Sequence, residues 1–132
     1  MIYLSDVREW LKTYNIADHH YIGKLDNKKE KSLGVYQREG GEAKIAIGGL
    51  DNTKYDIKRV SILLHWTKDA RETEITAYEL YDKIIKTKKL TIGETPVHCL
   101  MMRNPEPVDV GTDDAGVYER VIQLDIYFER RD

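Results

Sequence analysis

The chain has 132 residues, 21 of them Lys or Arg and 23 Asp or Glu, for a formal net charge of −2. That length suits one domain across residues 1–132 and needs neither a disulfide nor a metal to fold. The single cysteine, Cys99, excludes an intramolecular disulfide and a multi-cysteine zinc site, and balanced charge argues against a nucleic-acid binder held by a basic surface.

The first ten residues carry no basic region followed by an apolar run, so no secretory signal is expected. The longest apolar stretches, such as Ile62-Leu63-Leu64, are far short of the roughly 20 residues of a membrane-spanning helix. These features predict a soluble protein made inside the cell.

A short helix comes first. Ser5 is a suitable N-cap, Val7, Trp10, Leu11 and Tyr14 follow at helical spacing, and Asn15 can take the left-handed conformation that ends the helix. Three short strands follow, at His20 to Leu25, Leu33 to Gln37 and Lys44 to Ile47. The charge run Asp26-Asn27-Lys28-Lys29-Glu30-Lys31 has no apolar anchor and predicts an exposed loop. Gly40-Gly41 and Gly48-Gly49 mark turns or bulges. Asp56 to Trp66 is the strongest strand: Val60, Ile62, Leu64 and Trp66 share one face, and Ser61, Leu63 and His65 the other. Its partly apolar second face predicts a central strand covered on both sides.

The second helix is expected over Asp69 to Lys86. Asp69 with Glu72 has the spacing of a capping box, and Ala70, Ala77, Leu80, Tyr81 and Ile84 form the apolar stripe. The last third reads as a hairpin of Val97 to Arg103 with Val117 to Glu129. Ile122, Leu124, Ile126 and Phe128 face the core, while Gln123, Asp125, Tyr127 and Glu129 face water or a partner. The connection Asn104 to Gly116 is long for a hairpin and predicts a protruding loop. The order α-β-β-β-β-α-β-β gives an α+β class, with two helices packed on a mainly antiparallel, mixed-order sheet.

No residue set converges on chemistry. His19-His20 and His98-Cys99 are adjacent pairs whose side chains point to opposite strand faces, a poor arrangement for one metal ion. Asp109, Asp113 and Asp114 lack the spacing of a calcium loop and suit a turn. Glu42-Ala43-Lys44 and Asp56-Ile57-Lys58 each resemble part of a metal-dependent nuclease site, which needs a second carboxylate from a neighbouring strand. Ser5, Ser32 and Ser61 lie in no nucleophile elbow. No catalytic residue, metal or cofactor is therefore assigned. Nine tyrosines against one phenylalanine instead suggest surfaces that become buried on assembly, with Tyr21, Tyr36, Tyr118 and Tyr127 as interface candidates. Asp26, Lys28, Lys29 and Lys31 in the first loop, and Asp109, Thr112, Asp113 and Asp114 in the second, are the candidate interface loops.

The succession of segments along nearly the whole chain resembles a family. Val7-Arg8-Glu9-Trp10-Leu11 and Tyr21-Ile22-Gly23-Lys24-Leu25 are followed by the lysine-rich loop and Gly34-Val35-Tyr36. Val60 to Lys68, Glu72-Thr73-Glu74 and Ala77 to Tyr81 form the middle. Glu106 to Asp114 and the closing strand complete it. The pattern is similar to the small minor capsid proteins of long-tailed bacteriophages and prophages, which look like tail terminators of the phage neck. The resemblance implies a tail-terminator-like fold and a structural virion protein without enzymatic activity. It implies a homo-oligomeric ring, typically a hexamer, that caps the tail tube, ends its polymerisation and joins it to the head connector. Implied partners are further copies, the tail-tube protein and a head-connector or stopper protein. DNA is transient cargo through the lumen and no membrane is involved. The implied location is the head-tail junction of the virion, after synthesis in the bacterial host cytoplasm. The alternatives are another neck component, such as a head-completion or stopper protein, and a metal-dependent nuclease built on Glu42, Lys44, Asp56 and Lys58.

Overall fold

The computed structural model describes residues 1–39 and 55–130. The predicted strand Lys44 to Ile47, the paired glycines at 40–41 and 48–49, and the nuclease candidates Glu42 and Lys44 lie outside the described residues.

Helix α1 spans Leu4–Lys12. Ser5 is not its cap but lies within its first turn; Tyr3 holds the N-cap position, and the Asp6 carboxylate reaches back to accept its backbone N–H at 2.9 Å. A carboxylate three residues into the helix satisfies an amide that the Ser5 hydroxyl would have met only if the helix began later. Asn15 does adopt the left-handed conformation, with φ 56°. Helix α2 spans Ala70–Ile85, and Asp69 caps it by accepting from the backbone N–H groups of Arg71 at 3.0 Å and Glu72 at 3.1 Å. The reciprocal half of the capping box is absent. The Asp69 N–H goes to Thr67 Oγ1 at 3.2 Å, and Glu72 turns toward Thr67 and Lys31. On the buried stripe Thr73 takes the place expected of Ala70, which is exposed.

The strands are β1 (His19–Ile22), β2 (Ser32–Gln37), β3 (Tyr55–His65), β4 (Leu90–Ile92), β5 (Thr95–Met102), β6 (Val108–Thr112) and β7 (Tyr118–Glu129). They form one mixed sheet in the order β1-β2-β3-β7-β5-β4, and β6 also pairs with β7. The class is α+β with both helices packed on a sheet, as expected. Three details differ from the sequence expectation. β4 is a short strand that follows α2 and pairs with β5. The connection after β5 contains β6, so Asp109 and Thr112 stand on a strand and only Asp113 and Asp114 occupy a turn. β1 runs parallel to β2, joined by the loop 23–31; the left-handed residues Gly23 (φ 67°) and Lys31 (φ 54°) turn this short connection back on itself.

The core lies on one face of the sheet. Val60, Ile62 and Leu64 of β3 and Ile122, Leu124, Ile126 and Phe128 of β7 meet Val7, Trp10 and Leu11 of α1 and Ala77, Leu80 and Ile84 of α2. β3 lies inside the sheet as its sequence predicts, with β7 beside it. No described helix covers the opposite face. There Leu63 and Val121 are half-buried, so among the described residues the cover expected on the second face of β3 is partial.

His20 of β1 is half-buried beneath α1 on the core side, and its Nε2 has no hydrogen-bond partner among the described residues. Burial lowers its pKa below the usual histidine value, and Lys12 adds to the effect. The folded protein thus favours neutral His20. Its contribution to stability is complete above about pH 6.5, the unfolded value, and is lost as the pH falls through the lower folded value. His20→Phe should flatten that part of the stability profile, read as the variant-minus-native difference in urea unfolding free energy at pH 7.5 and pH 5. An unchanged pH slope would refute the assignment.

Candidate functional site

The two predicted loops meet at one end of the sheet, and His65 joins them. This last residue of β3 points to the face opposite the core yet is fully buried. Its Nδ1 is 2.9 Å from Glu119 Oε2 and 3.7 Å from Asp113 Oδ2; its Nε2 is 3.0 Å from the backbone oxygen of Asn27. A carbonyl only accepts, so Nε2 carries a proton. Nδ1 faces two carboxylates, bonded to Glu119 and close to Asp113. One side chain thereby ties the lysine-rich loop to the turn between β6 and β7.

Backbone bonds complete the lock. The Lys31 N–H donates to the Trp66 carbonyl at 2.9 Å, and the Lys31 carbonyl accepts from Asp18 at 2.9 Å and His19 at 3.3 Å. Tyr118 donates to the Thr67 carbonyl at 2.8 Å and accepts from the Trp66 N–H at 3.0 Å. The Asp113 side chain accepts from Ala115 and Val117 at 2.9 and 3.0 Å, which shapes the turn. In the first loop, Asp26 Oδ1 accepts from the Lys28 N–H at 3.0 Å. Asp26 through Lys31 are all exposed, as are Thr112 and Asp114. Among the described residues Lys28 and Lys29 form no ion pair, whereas the Lys31 Nζ lies 3.7 Å from Glu72 and Asp109 lies 3.8 Å from Arg120.

The four candidate tyrosines divide. Tyr21, Tyr36 and Tyr127 occupy the helix-free face by strand alternation and register, and Tyr118 lies on the other side, level with Thr112. Burial pushes the Tyr36 hydroxyl pKa up. Tyr127 packs against Tyr55 with ring centroids 5.8 Å apart, and these two with His98 and Cys99 line an apolar recess of about 290 Å³. Other tyrosines are internal struts. Tyr14 bonds Trp10 and Thr87, Tyr78 donates to Glu106 at 2.9 Å, and Tyr81 donates to the Asn104 carbonyl at 2.7 Å. The last two hold the β5–β6 connection against α2, so it does not protrude as the sequence suggests.

A second polar cluster sits on the helix-free face. Asp125 of β7 is buried under Arg38, which bonds it directly and also donates to the carbonyls of Val60 and Leu124; Arg103 lies 3.6 Å away. The sequence pattern puts Asp125 on a face turned to water or a partner and assigns Arg38 no role. Period-two alternation reports which face a residue takes, not whether an arginine from a neighbouring strand closes over it.

Among the described residues no group of three or more His, Cys, Asp or Glu side chains could hold a metal ion. Asp56 faces Arg130 at 3.8 Å and Lys58 donates to Gln37 at 3.0 Å. No described helix is long and apolar enough to cross a membrane. No protein-family model matches the chain, and the search of curated proteins finds no significant similarity.

Proposed function

We propose that the protein is a tail terminator of a long-tailed bacteriophage or prophage, a ring-forming subunit that caps the tail tube and joins it to the head connector. The observation that carries this reading is the loop pair fastened by His65. Two polar loops far apart in sequence are held side by side at one end of the sheet, which suits a preformed docking end rather than a pair of independent flexible loops. The segment order along nearly the whole chain supports it through the family resemblance. A helix-free sheet face bearing Tyr21, Tyr36 and Tyr127 adds surface of the kind buried on assembly. A net charge of −2 suits a lumen that lets DNA slide without gripping it.

A phage lacking the gene should make tails of uncontrolled length that do not join heads, seen by electron microscopy of lysates and restored by the gene in trans. Tails of normal length on complete virions would overturn the proposal. Retention of the purified protein by tail-tube protein, and not by portal or adaptor protein alone, separates a terminator from a stopper or head-completion protein.

A further inference from the structure

Among the described residues β1, β4 and β6 each have a free edge, and the two longer ones, β1 and β6, stand at the same height. β1 lies at one end, and β6 lines the open side of the first part of β7. Register carries through the sheet: Tyr21 is level with Gly34, Leu63, Val121 and Val108, and His20 is level with Leu33, Leu64, Arg120 and Asp109. The edges have nearly equal lengths, His19–Ile22 and Val108–Thr112. Both expose apolar side chains: Ile22 is 40% exposed, Val108 37% and Val110 48%. An uncovered apolar edge is a template for another strand.

The flanking charges are opposite. The loop that follows β1, residues 23–31, carries four lysines and two acids. The segment 104–116 that contains β6 carries four acids and no base. Two identical edges would set like charges against each other, whereas β1 against β6 sets lysines against carboxylates. Strand direction agrees. β1 is parallel to β2, and each further step across β3, β7 and β6 is antiparallel, so β6 runs opposite to β1. In a ring whose strands follow its axis, rotation preserves strand direction, and the β6 of one copy meets the β1 of the next as an antiparallel pair.

We infer that copies of this chain join head to tail through the β1 edge of one and the β6 edge of the next, with Tyr21 of one copy beside Val108 of its neighbour. The inference rests on the ring reading and specifies the surface that closes the ring. The contact is heterologous, so it can propagate from copy to copy until a ring closes.

Cysteine pairing tests it. In a Cys99→Ser background, Tyr21→Cys and Val108→Cys stand four strand steps, or about 19 Å along the sheet, apart within one chain, too far to bridge internally. Oxidised in solution and on tail tubes, the double variant should give a reducible ladder of dimers and larger species on a denaturing gel, with most of the chain shifted. An equal mixture of the two single variants should stop at dimers, and each single variant alone should stay monomeric. A double variant that remains monomeric in both settings while the native chain sediments as a ring overturns the edge assignment and leaves the ring reading standing. Dimers from either single variant alone show a two-fold contact and overturn the head-to-tail pairing. A native chain that is monomeric both free and with tubes overturns the ring reading and the edge assignment together.

Discussion

His65→Ala should cost about 3 kcal/mol of folding stability, because it removes the buried side chain that bonds Glu119 and the Asn27 carbonyl and lies beside Asp113. Glu119 and Asp113 would be left facing each other across an empty site, and the Asn27 carbonyl would lose its partner. Against a total of about 5–15 kcal/mol for a domain, that is a large share. It should appear as a lowered urea midpoint with an unchanged slope. His65→Gln keeps one donor and should recover part of the loss. A local readout accompanies the global one: protease cleavage within 26–31 should accelerate in His65→Ala under conditions where the core stays folded, because the loop loses its tie to β3. If neither the midpoint nor the cleavage rate changes, His65 does not fasten the loops.

That lock shows where a sequence stops being legible. The alternation in β3 and β7 places Ile62, Leu64, Ile122 and Leu124 on the core face, because a period of two is written in the residues themselves. The Asp69 cap is equally local. The meeting of Asn27 with Asp113 is a different kind of fact. It depends on the parallel pairing of β1 with β2 and on the β6–β7 hairpin, and neither leaves a short-range signature. β4 was hidden because three residues are too few to show a period. β6 was hidden because Pro105, Pro107 and Gly111 give its surroundings the composition of a loop. His65 did carry a signal, as a polar residue ending an apolar central strand on the face away from the helices. Such a residue must find partners in whatever packs beside that strand end.

Asp125→Ala should be at least as damaging, with an expected loss of about 3–5 kcal/mol, the range for breaking a buried ion pair by removing one member. The carboxylate lies in the central strand β7, 4% exposed, bonded by Arg38 and approached by Arg103. Without it, Arg38 keeps, among the described residues, the carbonyls of Val60 and Leu124 as partners for its guanidinium, which remains largely covered. The double replacement Arg38→Met with Asp125→Leu removes both charges, and it should be more stable than Asp125→Ala because nothing ionic is left stranded. Equilibrium unfolding of the three proteins measures the difference directly. If Asp125→Ala costs under about 1 kcal/mol, the pair behaves as an exposed surface bridge. A large cost would instead mean that this face, which no described helix covers, has a fixed polar centre held by the pair.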